Sequence, residues 1–197
     1  KNAHISMIAR KLWLCPGISR GEIARSLDLY RSTVTNIMNS LIENNLVLEE
    51  NEGEATPQGG RKPICLALNP RFGCVMGLEI QSDWCRAVVI DLFGTILFSA
   101  EYPFPGGDFS SVDFPCAVDS LVEAVMPALG NIGMPLLGIC FGVPGIVDMM
   151  RGVIVRSDPF TMRDCAIAHL ISRKYRVPVI VENDANSANT RLNAFGS

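Results

Sequence analysis

Residues 18–46 read ISRGEIARSLDLYRSTVTNIMNSLIENNL, and their spacing spells two helices joined by a short turn. Ser19-Arg20-Gly21-Glu22 is a capping box, in which the Ser19 hydroxyl accepts from the Glu22 backbone N–H while the Glu22 carboxylate reaches back to the cap. The helix it opens is expected to run through Leu27. Asp28-Leu29-Tyr30 then forms a tight connection, with Asp28 suited to a positive φ. From Arg31 onward the apolar residues Val34, Ile37, Met38, Leu41, Ile42 and Leu46 recur at i, i+3, i+4, i+7 and i+8, which predicts an amphipathic helix with one buried stripe. Its other face is Arg31, Ser32, Thr33, Thr35, Asn36, Asn39 and Ser40. A helix that enters the major groove needs short polar side chains near its amino end for base edges and a cation for phosphate. Arg31, Ser32, Thr33, Thr35 and Asn36 meet that need, and double-stranded DNA is the expected partner.

Outward from this core, Ile5, Ile8, Leu12 and Trp13 predict a preceding helix over His4–Leu14, stopped by Cys15-Pro16-Gly17. On the other side, Leu46–Glu50 and Ile64–Leu68 read as antiparallel strands. The segment between them carries Gly59-Gly60-Arg61-Lys62-Pro63, flexible and basic, so Arg61 and Lys62 are expected on phosphate or in the minor groove. The acidic stretch Glu49–Glu54 is expected to face away from DNA. Residues 1–70 therefore read as an α+β winged helix-turn-helix domain.

At Asn69-Pro70 the helical period gives way to short apolar runs, and residues 71–197 read as a second domain of α/β class. Strands are expected at Cys74–Ile80, Cys85–Leu92, Thr95–Glu101, Leu136–Val143, Gly152–Arg156 and Val179–Glu182, with Phe93-Gly94 as a turn. Helices are expected over Pro115–Leu129, Arg163–Tyr175 and Ala185–Ala194. Three meandering strands followed by alternating helices and strands describe one lobe of an actin-like, ribonuclease-H-like fold.

Charge divides along the same line. Residues 1–71 hold nine Lys/Arg against seven Asp/Glu, residues 72–197 eight against thirteen, and residues 1–42 six against two. The excess of cations falls where phosphate is expected. No apolar run approaches the roughly 20 residues that span a bilayer, and Lys1–Arg10 lacks a secretion signal, so the expected location is the cytoplasm. The seven cysteines are scattered without a Cys-x-x-Cys pair, which reads as reduced thiols and gives no metal site.

These motifs in this order resemble the ROK group of repressors and sugar kinases, and more closely its xylose-repressor-type regulators. The resemblance rests on Ile18–Leu46, Gly59-Gly60-Arg61-Lys62-Pro63, Gly77-Leu78-Glu79-Ile80, Gly142-Val143-Pro144-Gly145 and Val181-Glu182-Asn183-Asp184-Ala185-Asn186. It implies a sugar site that includes Gly145, Asn183 and Asp184, the Asp being the residue that takes the hydroxyl proton in the kinases. Asp184 also reads as a cap for a helix beginning at Ala185.

The phosphate-binding turn, Asp-x-Gly-Gly-Thr in the kinases, is Glu79-Ile80-Gln81-Ser82-Asp83 here. Both glycines that would let backbone N–H groups approach phosphate are replaced, and Asp83 adds a negative charge in what is read as a partly buried turn, so phosphoryl transfer is not expected. Tyr30 stands where the resemblance implies a Ser cap, and Ser157-Asp158-Pro159-Phe160 shows no sugar-contacting Asn. The resemblance further implies a second lobe beyond Ser197 with more sugar contacts, a Cys/His zinc site and a dimer surface. The chain thus reads as ending after the first lobe, with no cofactor of its own.

The expected function is a homodimeric, sugar-responsive transcriptional repressor of carbohydrate genes. The alternatives are a constitutive DNA-binding and dimerisation module and an active sugar kinase.

Overall fold

A computed structural model describes residues 2–52, 63–105, 107–110 and 113–184, and the chain divides into two compact units, Lys1–Phe72 and Gly73–Ser197. The first unit runs α1 (Asn2–Leu14), β1 (Ile18–Ser19), α2 (Arg20–Ser26), α3 (Arg31–Glu43), β2 (Val47–Glu52) and β3 (Ile64–Leu68). Its strands form an antiparallel sheet in the order β1-β3-β2. The apolar stripes supply one core: Ile8 and Leu12 from α1, Ile23 from α2, Val34, Ile37, Met38 and Leu41 from α3, and Val47 and Leu66 from the sheet are all buried. Ser19 caps α2 and closes the full capping box with Glu22.

Both longer turns of this unit use a residue in the left-handed region to end a helix. Asp28 has φ 52 and Asn45 has φ 59. After each, a backbone N–H returns to the helix, Leu29 to the Ala24 carbonyl and Leu46 to the Leu41 carbonyl. This is the six-to-one bond of a Schellman closure, and Asp and Asn bear the left-handed backbone with less strain than most side chains. Leu46, expected in the helical stripe, therefore lies beyond the end of α3. The short strand β1, which pairs Ile18 with Leu66 and Ser19 with Cys65, was not visible in the sequence, because a two-residue strand has no period to read.

The second unit continues with β4 (Cys74–Ile80), β5 (Trp84–Asp91), β6 (Ile96–Pro103), α4 (Asp113–Ile132), β7 (Leu136–Val143), β8 (Ile146–Asp148), β9 (Val153–Ser157), β10 (Met162–Cys165), α5 (Ile167–Tyr175) and β11 (Val179–Asn183). Its main sheet has the order β11-β7-β4-β5-β6. The first three strands of this unit, β4, β5 and β6, meander antiparallel, and β7 and β11 then add parallel to β4 in succession. Two crossovers carrying α4 and α5 achieve this, as parallel pairing requires. Alternate residues Met76, Leu78 and Ile80 of β4, Ile139, Phe141 and Val143 of β7, and Val181 of β11 are buried, in one core with Phe114, Val118, Val122 and Val125 of α4 and Ile171 of α5. The β5–β6 turn is held by the Asp91 carboxylate, which accepts from the Phe93 and Thr95 N–H groups.

One sequence expectation fails here. Residues 163–166 are not helical: Met162–Cys165 is β10, which folds back antiparallel on β9. Thr161 and Asp164 have φ 49 and 50, values that no right-handed helix contains. The apolar residues Met162, Cys165 and Ala168 happen to fall at helical spacing, but Met162 and Cys165 are buried from a hairpin strand paired in unbroken register with β9 instead. β8 was also missed, within what read as loop. The helix expected over Ala185–Ala194 lies outside the described residues.

Candidate functional site

In the first unit, α3 buries its apolar stripe and leaves Arg31, Ser32 and Asn36 exposed, with Thr33 and Thr35 half-buried beside them. Tyr30 occupies the N-cap in extended conformation with no side-chain cap, and it is 85% exposed. The amino end of the helix thus carries Arg31 beside backbone N–H groups that no side chain covers, a concentration of positive potential suited to an anion. Arg61 and Lys62 lie outside the described residues.

No local pattern marks the role of Arg20. Its guanidinium donates to Asn39 Oδ1 at 3.3 Å and to Glu49 at 2.9 Å, joining the start of α2 to α3 and to β2. Asn39 is consequently engaged within the unit rather than standing on a free polar face, and Glu49 is matched to a cation. The partners are 19 and 29 residues away, so no local pattern reports them.

The second candidate site forms where the parallel strands end. Gln81 follows β4, Gly145 follows β7 and Asp184 follows β11. Asn183 Nδ2 donates to the Gly145 carbonyl at 2.6 Å, and Gln81 Nε2 donates to Asp184 Oδ2 at 3.2 Å. The three residues named for sugar binding, Gly145, Asn183 and Asp184, are therefore brought together at carboxyl ends of strands, the usual place for a ligand cleft in an open α/β sheet. Gly145 has φ 135, and a Cβ there would overlap the Arg156 carbonyl oxygen, so this position tolerates only glycine. The floor beneath it is set by Ser157, 1% exposed, whose hydroxyl donates to the Pro144 carbonyl at 2.6 Å. Ser157 faces inward as a support.

The turn 81–83 differs from expectation in one respect. Asp83 is exposed, so water and salt screen its charge, and repulsion from a partly buried Asp83 is not what alters this turn. The larger change is at Gln81, whose side chain extends to Asp184. Among the described residues no group of three or more His, Cys, Asp or Glu could hold a metal ion, and no helix is long and apolar enough to cross a membrane.

Comparison with known proteins places the chain in a family. The xylose repressor of Lactiplantibacillus pentosus is 30% identical over 188 residues, covering 94% of this chain and 47% of that protein. The xylose repressor of Bacillus subtilis is 25% identical over 197 residues, covering 100% of this chain and 50% of the relative. The chain spans about half the length of the curated relatives it matches. A ROK family transcriptional regulator, a homologue of the E. coli MLC protein, superposes with a TM-score of 0.82 at 18% identity, covering 98% of this chain and 48% of that one; the likeness is one of fold. A ROK family glucokinase from Streptomyces griseus, in complex with glucose and AMPPNP, superposes with a TM-score of 0.53 at 26% identity, over 64% of this chain and 38% of its own. The ROK family profile matches residues 75–196, more than half of the chain, and the protein belongs to the ROK family.

Proposed function

We propose that the protein is a sequence-specific transcriptional repressor of carbohydrate genes, acting in the cytoplasm as a homodimer. In this reading the first unit is a winged helix-turn-helix whose α3 enters the major groove of double-stranded DNA. The observation that carries the reading is the amino end of α3, where Arg31, Ser32 and Asn36 are exposed opposite the buried Val34, Ile37, Met38 and Leu41. The names of the relatives, xylose repressors, support it. Arg61 and Lys62 would add phosphate or minor-groove contacts.

The second unit, in this reading, is one lobe of an actin-like fold that binds a sugar at Gly145, Asn183 and Asp184 without phosphorylating it. Gln81 stands where a phosphate-binding turn needs bare backbone, and it hydrogen-bonds the carboxylate that a kinase would use as a base. No cofactor within residues 1–197 enters this mechanism. Sugar binding would shift the dimer between states that present the two recognition helices at different spacing.

The test is binding of the protein to the DNA upstream of its own gene, across a salt series, with and without D-xylose, D-glucose and N-acetyl-D-glucosamine. Specific binding that a sugar shifts is the expected result. Specific binding indifferent to every sugar would leave a constitutive DNA reader, and no specific binding would remove the regulatory function. ATP-dependent consumption of any of these sugars would instead establish a kinase.

A further inference from the structure

The bond between Gln81 and Asp184 spans an unusual distance for two residues of one sheet. β4 and β11 are not neighbours, because β7 lies between them. Adjacent strands are about 4.8 Å apart, so the backbones of β4 and β11 are separated by roughly 10 Å. The 3.2 Å contact between Gln81 Nε2 and Asp184 Oδ2 is made by side chains reaching over the end of β7. A glycine or a short side chain at 81 has nothing to extend across that gap.

The chemistry of the two groups sets what the contact can do. An ionised carboxylate is acceptor-only, with about four lone-pair sites, and the glutamine amide supplies up to two N–H donors without bringing a charge. Gln81 therefore orients Asp184 and leaves its negative charge in place. Carboxylates also flank this end of the sheet: Glu79 of β4 and Glu182 of β11 are both in register with Gly142 of β7. A phosphate or other anion finds a carboxylate rather than a donor here, while a neutral group bearing hydroxyl donors meets an acceptor held in place.

We infer that Gln81 is a positioning residue for a neutral, hydroxyl-rich ligand, fixing the Asp184 carboxylate as an acceptor across the ends of three parallel strands. The inference rests on the sugar-binding reading above and names the residue that tunes that site. Glutamate at 81 has the same length but sets a second carboxylate against the first; such a pair retains a proton as pH falls, and the shared proton restores the hydrogen bond. Methionine has similar length and no donor.

The test is calorimetric titration of D-xylose, D-glucose and N-acetyl-D-glucosamine into the wild-type protein, Gln81→Met and Gln81→Glu, at about pH 5 and about pH 8. Thermal midpoints establish that each variant is folded. The expected result is that Gln81→Met weakens sugar binding by about tenfold at both pH values, the loss associated with one charge-assisted hydrogen bond. Gln81→Glu is expected to weaken it more near pH 8 and to recover most of the loss near pH 5. If the wild-type protein binds a sugar and either variant binds it equally well at both pH values, the inference is overturned while sugar binding stands. A Gln81→Glu loss that is the same at the two pH values also overturns it, since a merely structural contact has no proton to share. If the wild-type protein binds none of these sugars, the sugar-binding reading fails and the inference falls with it. Should Gln81→Glu not fold, Gln81→Met decides between the first two outcomes.

Discussion

Ser19 and Glu22 show how much a single local pair settles. The Glu22 carboxylate accepts from the Ser19 hydroxyl at 2.7 Å and from the Ser19 N–H at 2.9 Å, and the hydroxyl hydrogen bond, then the backbone one, hold the Glu22 carboxyl below its ordinary 4.5. A carboxyl whose folded value is depressed contributes stability that is present above about pH 4.5 and is lost as pH falls through the lower folded value. Ser19→Ala is expected to cost about 1 kcal/mol of stability near neutral pH, the usual worth of a cap. The difference from wild type should shrink in acid, where Glu22 is protonated in both proteins; urea titrations followed by circular dichroism at neutral and acid pH measure it. This pair, and the positive φ of Asp28, were legible because every participant lies within four residues. Asn45, Thr161 and Asp164 also have positive φ, a conformation that apolar periodicity does not report.

At the scale of elements, an aromatic cluster holds the turn from β9 to β10. Phe104, Phe109, Phe114 and Phe160 all pack on one another, with ring centroids between 5.0 Å for Phe114 and Phe160 and 5.9 Å for Phe109 and Phe160. The Phe109 N–H also donates to the Phe160 carbonyl at 3.0 Å. Phe160 sits at the turn from β9 to β10, three residues after Ser157, which supports Pro144 and hence Gly145. Removing the ring leaves a cavity beneath that turn. Phe160→Ala should lower the stability of the second unit by about 3–5 kcal/mol, the cost of a large buried ring, and, on the proposed function, should weaken sugar binding through the Ser157–Pro144–Gly145 support. Denaturant unfolding and calorimetry read the two effects. Between two helices of this unit, Lys174 of α5 pairs with both Asp119 and Glu123 of α4, each at 2.6 Å. The exposed lysine makes that network weak support compared with the apolar core. The aromatic cluster was invisible in the sequence, where Phe160 read as part of a loop, because its members come from segments up to 56 residues apart that only the folded sheet brings together.

For the whole molecule, the cysteines offer a test of the core as placed. Burial pushes the Cys85 thiol up to about 12, with Glu79 adding to the effect, and burial pushes Cys165 up to about 11. Both are fully buried, whereas Cys116 is exposed on α4. Since the thiolate is the reactive form, iodoacetamide near neutral pH is expected to label Cys116 first and to reach Cys85 and Cys165 only on unfolding, with mass spectrometry reading the order. Early labelling of Cys85 would contradict its place in the core. The charge division belongs to this scale too: Arg31→Ala, in the cationic part, should reduce the salt dependence of DNA binding by about one unit if Arg31 meets phosphate. By itself the sequence determined what is periodic or local: the helices of the first unit, the strands of the main sheet, the capping box and the candidate DNA-reading face of α3. Apolar spacing specifies an element and its buried side within a few turns of chain. Only the tertiary structure decided that β10 is a strand, that Arg20 ties α2 to α3 and β2, and that Gln81 reaches Asp184. Each of these depends on residues far apart in the chain, whose meeting follows from strand order and register and leaves no local trace.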